Sequence, residues 1–149
     1  MEKQIEITMK KAFWDLIATD LEATPQRHEH LCKLIEEIGD KFKSFTPNNK
    51  KLRNEIDEYI DSEFLKGLFE HKTFESKNFQ GLVEYIMCKI QEYSSPAHDK
   101  EINVWVKETR DDMNVKYSIF VPKFLEKVYY FLELIENEIK QYMAERRQN

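Results

Sequence analysis

Apolar residues recur at three- and four-residue steps along most of the chain, the period of helices with one oily face. Ile5, Met9, Phe13, Leu16, Ile17 and Leu21 predict a first helix from about Ile5 to Ala23. Thr24-Pro25 then resets the chain, with Thr24 as N-cap and Pro25 at the first position of a helix reaching about Ser44. Leu31, Leu34, Ile35, Ile38 and Phe42 line that second helix, and Gly39 within it costs about 1 kcal/mol relative to alanine.

Thr46-Pro47-Asn48-Asn49 is a turn and start signal. Leu52, Ile56, Tyr59 and Ile60 predict a third helix, followed past a break near Asp61-Ser62 by Phe64, Leu65, Leu68 and Phe69. Phe79, Leu82, Val83, Ile86, Ile90 and Tyr93 define a fifth, which Ser94-Ser95-Pro96 ends while capping the next. That next helix carries Ile102, Val104, Trp105 and Val106, and residues 111–114 read as a loop. Residues 115–121 have local strand character but no partner strand, which predicts an extended connector packed on the bundle. A long last helix is expected from near Pro122, through Phe124, Val128 and Phe131 to Tyr142 or Met143. The fold class is therefore all-α: a single compact bundle of six or seven helices with a long C-terminal one, residues 1–149 forming one domain.

Composition narrows the picture further. The chain has 149 residues, only 3 Gly and 4 Pro, which argues against a turn-rich sandwich or a linker protein. No apolar run approaches the roughly 20 residues that span a bilayer, and the first residues lack a signal-peptide pattern. A net charge of −5 disfavours nonspecific binding to nucleic acid or anionic membranes. Cys32 and Cys88 cannot build a disulfide framework and suit a reducing, cytoplasmic setting.

Candidate chemistry is sparse. His28 and His30 lie about 200° apart around a helix, so one ion cannot easily take both. His71 has no metal-type pattern beside it. The acidic pairs in Glu36–Asp40, Glu55–Glu58 and Glu133–Glu136 have the spacing with which all-α nucleotide pyrophosphohydrolases gather carboxylates around Mg²⁺. Here, however, Glu36, Asp40, Glu58 and Asp61 fall opposite the apolar stripes and point to water. No catalytic, cofactor or metal residues are assigned. The basic stretch Lys41–Arg53 interleaves with Phe42 and Phe45, which at helical spacing are core residues rather than base-stacking ones. The 13% aromatic content is more distinctive. Phe13-Trp14 and Tyr129-Tyr130-Phe131 set adjacent rings about 100° apart, so neither cluster can face one core entirely. Trp14 and Tyr130 are candidate anchors on a partner-binding surface.

Three stretches in series resemble the T-complex protein 11 family. They are Lys11-Ala12-Phe13-Trp14-Asp15-Leu16, then Leu52-Arg53-Asn54-Glu55-Ile56 running on through Tyr59–Lys66, and Ser95-Pro96-Ala97-His98-Asp99-Lys100-Glu101-Ile102. The Phe120–Phe124 segment and its long helix are similar to a later part of the family sequence. Two positions depart from the pattern: His98 stands where the family usually has arginine, and Ser94-Ser95 replaces Cys-Ala. The resemblance spans roughly the first third of a typical member, which makes this chain look like a minimal or truncated version. It implies a noncatalytic interaction protein, linked in longer members to cyclic-AMP and protein-kinase-A signalling. The family motifs add Arg53, Asn54, His98 and Asp99 as interaction candidates, and Arg53, Asn54 and Asp99 are expected to form an interhelical polar clasp. The implied partners are proteins, with no nucleic acid and no membrane span, and a homo-oligomer is compatible with this reading. The runner-up is a small all-α Mg²⁺-dependent nucleotide hydrolase.

Overall fold

The computed structural model describes residues 2–23, 26–71 and 76–148, with side chains over 10–23, 26–71 and 78–146. The expected cap at Thr24-Pro25 and the side chains of Ile5 and Met9 lie outside the described residues. The described residues form seven α-helices: α1 Glu2–Glu22, α2 Glu29–Phe45, α3 Lys50–Tyr59, α4 Ser62–Glu70, α5 Ser76–Tyr93, α6 Asp99–Asp111 and α7 Tyr117–Gln148. Single 3-10 turns at Pro96–His98 and Asp112–Asn114 lead into α6 and out of it.

Side-chain caps punctuate the first half of the chain. Asn49 accepts the Leu52 amide at 3.0 Å to start α3, and Asp61 accepts the Phe64 amide at 3.0 Å to start α4. Each cap satisfies an amide that has no partner in the first turn of a helix. Ser95 does not act as expected: it precedes Pro96 but makes no side-chain cap bond. Helix α2 begins at Glu29, four residues later than the start expected at Pro25.

Packing centres on α2 and α7. Helix α7 lies against α1, α2 and α5, while α2 also packs on α3 and α4, and α6 closes on α5. Ile38 and Phe42 of α2 meet Ile56, Val83, Ile90, Val121 and Val128 in the core, all fully buried. Trp105 brings α6 into the same core, its ring 5.9 Å from Phe124 and 4.9 Å from Phe131. A buried charge ties α5 to α3: Lys89, 3% exposed, reaches Glu92 at 3.0 Å and Glu55 at 3.3 Å. Both carboxylates are solvent-accessible, so the ammonium gains partners without burying them as well.

The start of α7 corrects the sequence reading. Residues 117–121 are helical rather than an extended connector, and the helix begins five residues before Pro122. Proline lacks an amide and disfavours the helical conformation just before it. Burial outweighs both here: Phe120 and Val121 continue the stripe of Phe124, Leu125 and Val128 into the core. Several apolar residues expected inside lie outside instead. Leu16 is 44% exposed, Val104 51% and Tyr59 59%, because α1, α6 and α3 each bury only a narrow face. Tyr59 still stacks flat on Tyr85, with ring centroids 4.5 Å apart.

Candidate functional site

The antiparallel pairing of α1 with α7 creates the most distinctive surface. Glu22 near the end of α1 lies beside Ser118 and Lys116 at the start of α7, and Trp14 sits further along beside Tyr129. Because Tyr129 and Tyr130 are adjacent in α7, their rings diverge by about 100°. Tyr129 turns inward. Its ring lies 5.9 Å from Trp14, and its single hydroxyl proton is shared between the Leu34 carbonyl at 3.1 Å and the Glu37 carboxylate at 3.0 Å, joining α7 to α2. Burial, reinforced by the Glu37 carboxylate, pushes the Tyr129 hydroxyl far above the usual phenol range, so it remains a donor.

Tyr130 turns outward and is 43% exposed, with the Lys127 ammonium 4.6 Å from its ring centre. On α1, Phe13 is 37% exposed and meets Trp14 edge-on at 5.2 Å. These rings line a groove of about 660 Å³ between α1, α2 and α7, with Leu34 and Leu132 also contributing apolar surface. Carboxylates border it: Glu37 from α2, and Glu126, Glu133 and Glu136 from α7. Glu136 is bridged to Lys41 at 2.7 Å and to Lys140 at 3.2 Å, and the two ammonium groups hold its carboxyl below the usual range.

The structure thus brings two sequence candidates, Trp14 and Tyr130, into one groove and places the others elsewhere. Arg53 and Asn54 line a separate recess of about 290 Å³ at the α2–α3 turn, with Lys43 and Lys50. The Arg53 guanidinium donates to the Lys43 carbonyl at the end of α2, while the Lys43 ammonium reaches Asp57 at 2.7 Å and Asp40 at 3.6 Å. This is a cross-brace closing the α2–α3 corner. The Lys43 carbonyl, in the last turn of α2, also accepts the capping Thr46 amide at 3.1 Å, so Arg53 is its second donor. Among the described residues no hydrogen bond or ion pair joins Arg53 to Asp99, so the expected clasp does not form. Asp99 is exposed in the first turn of α6, where its charge complements the helix dipole. His98 instead reaches across to Glu138 of α7 through Nε2.

A second hollow, of about 900 Å³, opens where α1, α2 and α4 converge. His30 meets the buried Asp20 carboxylate there at 2.9 Å. His28 stacks on Phe69 with ring centres 3.7 Å apart, and burial lowers its pKa. Burial pushes the Cys32 thiol up to about 11, leaving it protonated and poorly nucleophilic near neutrality. Cys88, by contrast, is exposed rather than packed. Glu36, Asp40, Glu58, Asp61 and Glu133 all face water, and among the described residues no three His, Cys, Asp or Glu side chains converge as metal ligands.

Tyr129, Glu126 and Glu37 were not singled out by sequence reasoning as parts of a site. A signal for one of them was present: Glu126, Tyr130 and Glu133 follow the i, i+4, i+7 spacing of one helix face. The contributions of Leu34 and Glu37 depend on tertiary placement of α2 and have no counterpart in the local pattern.

Fold and site together define, among the described residues, a helical scaffold with an external groove that brings together Phe13, Trp14, Tyr129 and Tyr130. A family model described as T-complex protein 11 matches residues 1–144, and the chain belongs to the T-complex protein 11 family. It is similar to the human T-complex protein 11 homolog, 28% identical over 103 residues. That match covers 68% of this chain but 20% of the human protein, so the chain corresponds to about a fifth of that relative. No solved structure matches it.

Proposed function

We propose that residues 1–149 form a single noncatalytic, protein-binding domain and that the α1–α2–α7 groove is its working face. The observation that carries this reading is the convergence of Phe13, Trp14 and Tyr130 on one open groove of about 660 Å³. Tyrosine and tryptophan are the side chains that most often dominate binding energy when a partner covers them. The family link to cyclic-AMP and protein-kinase-A signalling suggests a regulatory partner. The unbridged thiols of Cys32 and Cys88 suit a cytoplasmic one.

The test is affinity capture from native lysate with the parent protein, Trp14→Ala and Tyr130→Ala, each variant first checked for parental helicity by circular dichroism. Proteins held by the parent should be lost from both variants. Unchanged recovery from both would eliminate the groove as the working face. Nucleotide turnover that rises on Mg²⁺ titration would replace the binding reading with the hydrolase one.

A further inference from the structure

We infer that the occupant of the α1–α2–α7 groove is an amphipathic helix of a partner protein whose apolar stripe is flanked by lysine or arginine; this rests on the binding reading above and gives its partner a chemistry. Three observations carry it. The first is the shape of the walls. The groove is walled by α1 through Lys10, Phe13 and Trp14, by α2 through Leu34, Glu37 and Lys41, and by α7 through residues between Glu126 and Glu136. All three walls are helices, whose surface ridges are the relief into which the ridges of another helix interdigitate. Along α7 the groove runs from Glu126 to Glu136, which at 1.5 Å per residue is about 15 Å, or nearly three helical turns.

The second is the hydrogen-bonding demand of the occupant. Helices wall the groove on every side, with their own backbone amides already committed, so the groove offers no sheet edge. A strand laid there would leave its amides without partners, whereas a helix arrives with them satisfied internally. The third is charge. Four carboxylates of the lining, Glu37, Glu126, Glu133 and Glu136, stand against two ammonium groups, Lys10 and Lys41; Glu136 is bridged by Lys41 and Lys140, Glu126 and Glu133 form no ion pair among the described residues, and the Glu37 contact is with the neutral Tyr129 hydroxyl. The rim therefore keeps negative charge that would repel an acidic peptide, a nucleic acid or an anionic membrane and attract a basic flank. The exposed ring of Phe13 adds a surface over which a lysine or arginine can sit, while the Tyr130 ring already carries the Lys127 ammonium on one side.

A random 16-residue peptide library displayed on phage, selected on the intact chain and counter-selected on Tyr130→Ala, tests this directly. Enriched peptides should carry apolar residues at three- and four-residue spacing with net positive charge, and should gain helicity on binding. Reversing two rim charges, Glu126→Lys with Glu133→Lys, should weaken them about tenfold, an effect that shrinks as salt rises. Acidic, proline-rich or unpatterned winners, binding indifferent to the charge reversal, or no groove-dependent winner would overturn the inference. So would self-association in sedimentation velocity that disappears in Tyr130→Ala, since the occupant would then be a second copy. Groove-dependent winners of the wrong chemistry leave the binding domain standing, whereas lysate capture insensitive to Trp14→Ala and Tyr130→Ala removes both readings.

Discussion

Gly39 sits in the middle of α2, where glycine is a poor helix former, and its neighbour explains why it is there. A Cβ built on Gly39 would meet Ile60 Cγ2 at 3.1 Å and Ile60 Cβ at 3.6 Å. Ile60 closes the end of α3 and is itself buried, so it has little room to retreat. Gly39→Ala therefore sets two effects against each other. The helix gains about 1 kcal/mol from the better former. The added methyl overpacks the α2–α3 contact at a cost of about 1–3 kcal/mol. The net expectation is a loss of roughly 0–2 kcal/mol, the difference between those two ranges. Ile60→Ala removes the obstructing Cγ2 at its own cost of about 2–5 kcal/mol. In that background Gly39→Ala should change sign and stabilise by about 1 kcal/mol. Urea denaturation of the four proteins, read at unchanged m-value, closes a double-mutant cycle with an expected coupling of about 1–3 kcal/mol. An alanine effect of the same sign and size in both backgrounds would refute the close approach of α2 to Ile60.

Two further outcomes follow from the core and from the hollow beside α4. Ile86→Ala should cost about 2–5 kcal/mol, because Ile86 is 1% exposed within the core; a negligible shift in the urea midpoint would show that α5 is misplaced. His28 is held below its ordinary pKa of 6.5 by burial against Phe69. As pH falls below 6.5 the unfolded chain takes up a proton that the folded one resists, so stability is full above 6.5 and declines toward the lowered folded pKa. Urea midpoints measured from pH 8 to pH 5 should fall less steeply in His28→Phe than in the parent, and parallel profiles would contradict this.

The helical elements were legible because each buries one stripe, and the three- to four-residue step of Leu31, Leu34, Ile35 and Ile38 or of Val83, Ile86 and Ile90 encodes that stripe directly. The starts of helices were less so. Pro122 and the β-branched residues around it locally mimic a break, and only the packing of Phe120 and Val121 against distant helices reverses that preference. Trp14 and Tyr130 could be found because adjacent rings cannot share one face. Their meeting in one groove could not, since it depends on α1 and α7 pairing across most of the chain. Arg53 shows the same limit: nothing local says that its guanidinium turns back to a carbonyl ten residues earlier rather than across to Asp99.

The α1–α7 pairing also bears on synthesis. A ribosome releases α1 first and α7 last, so Ile17 and Leu21, both buried in the finished fold, emerge well before the helix that covers them. Closing that pair brings together segments more than ninety residues apart, as Glu22 and Ser118 are, and long closures of this kind slow folding and prolong the lifetime of sticky intermediates. The nascent chain accordingly passes through a stage in which its first amphipathic helix is open to chaperones, and that stage ends only when translation reaches α7.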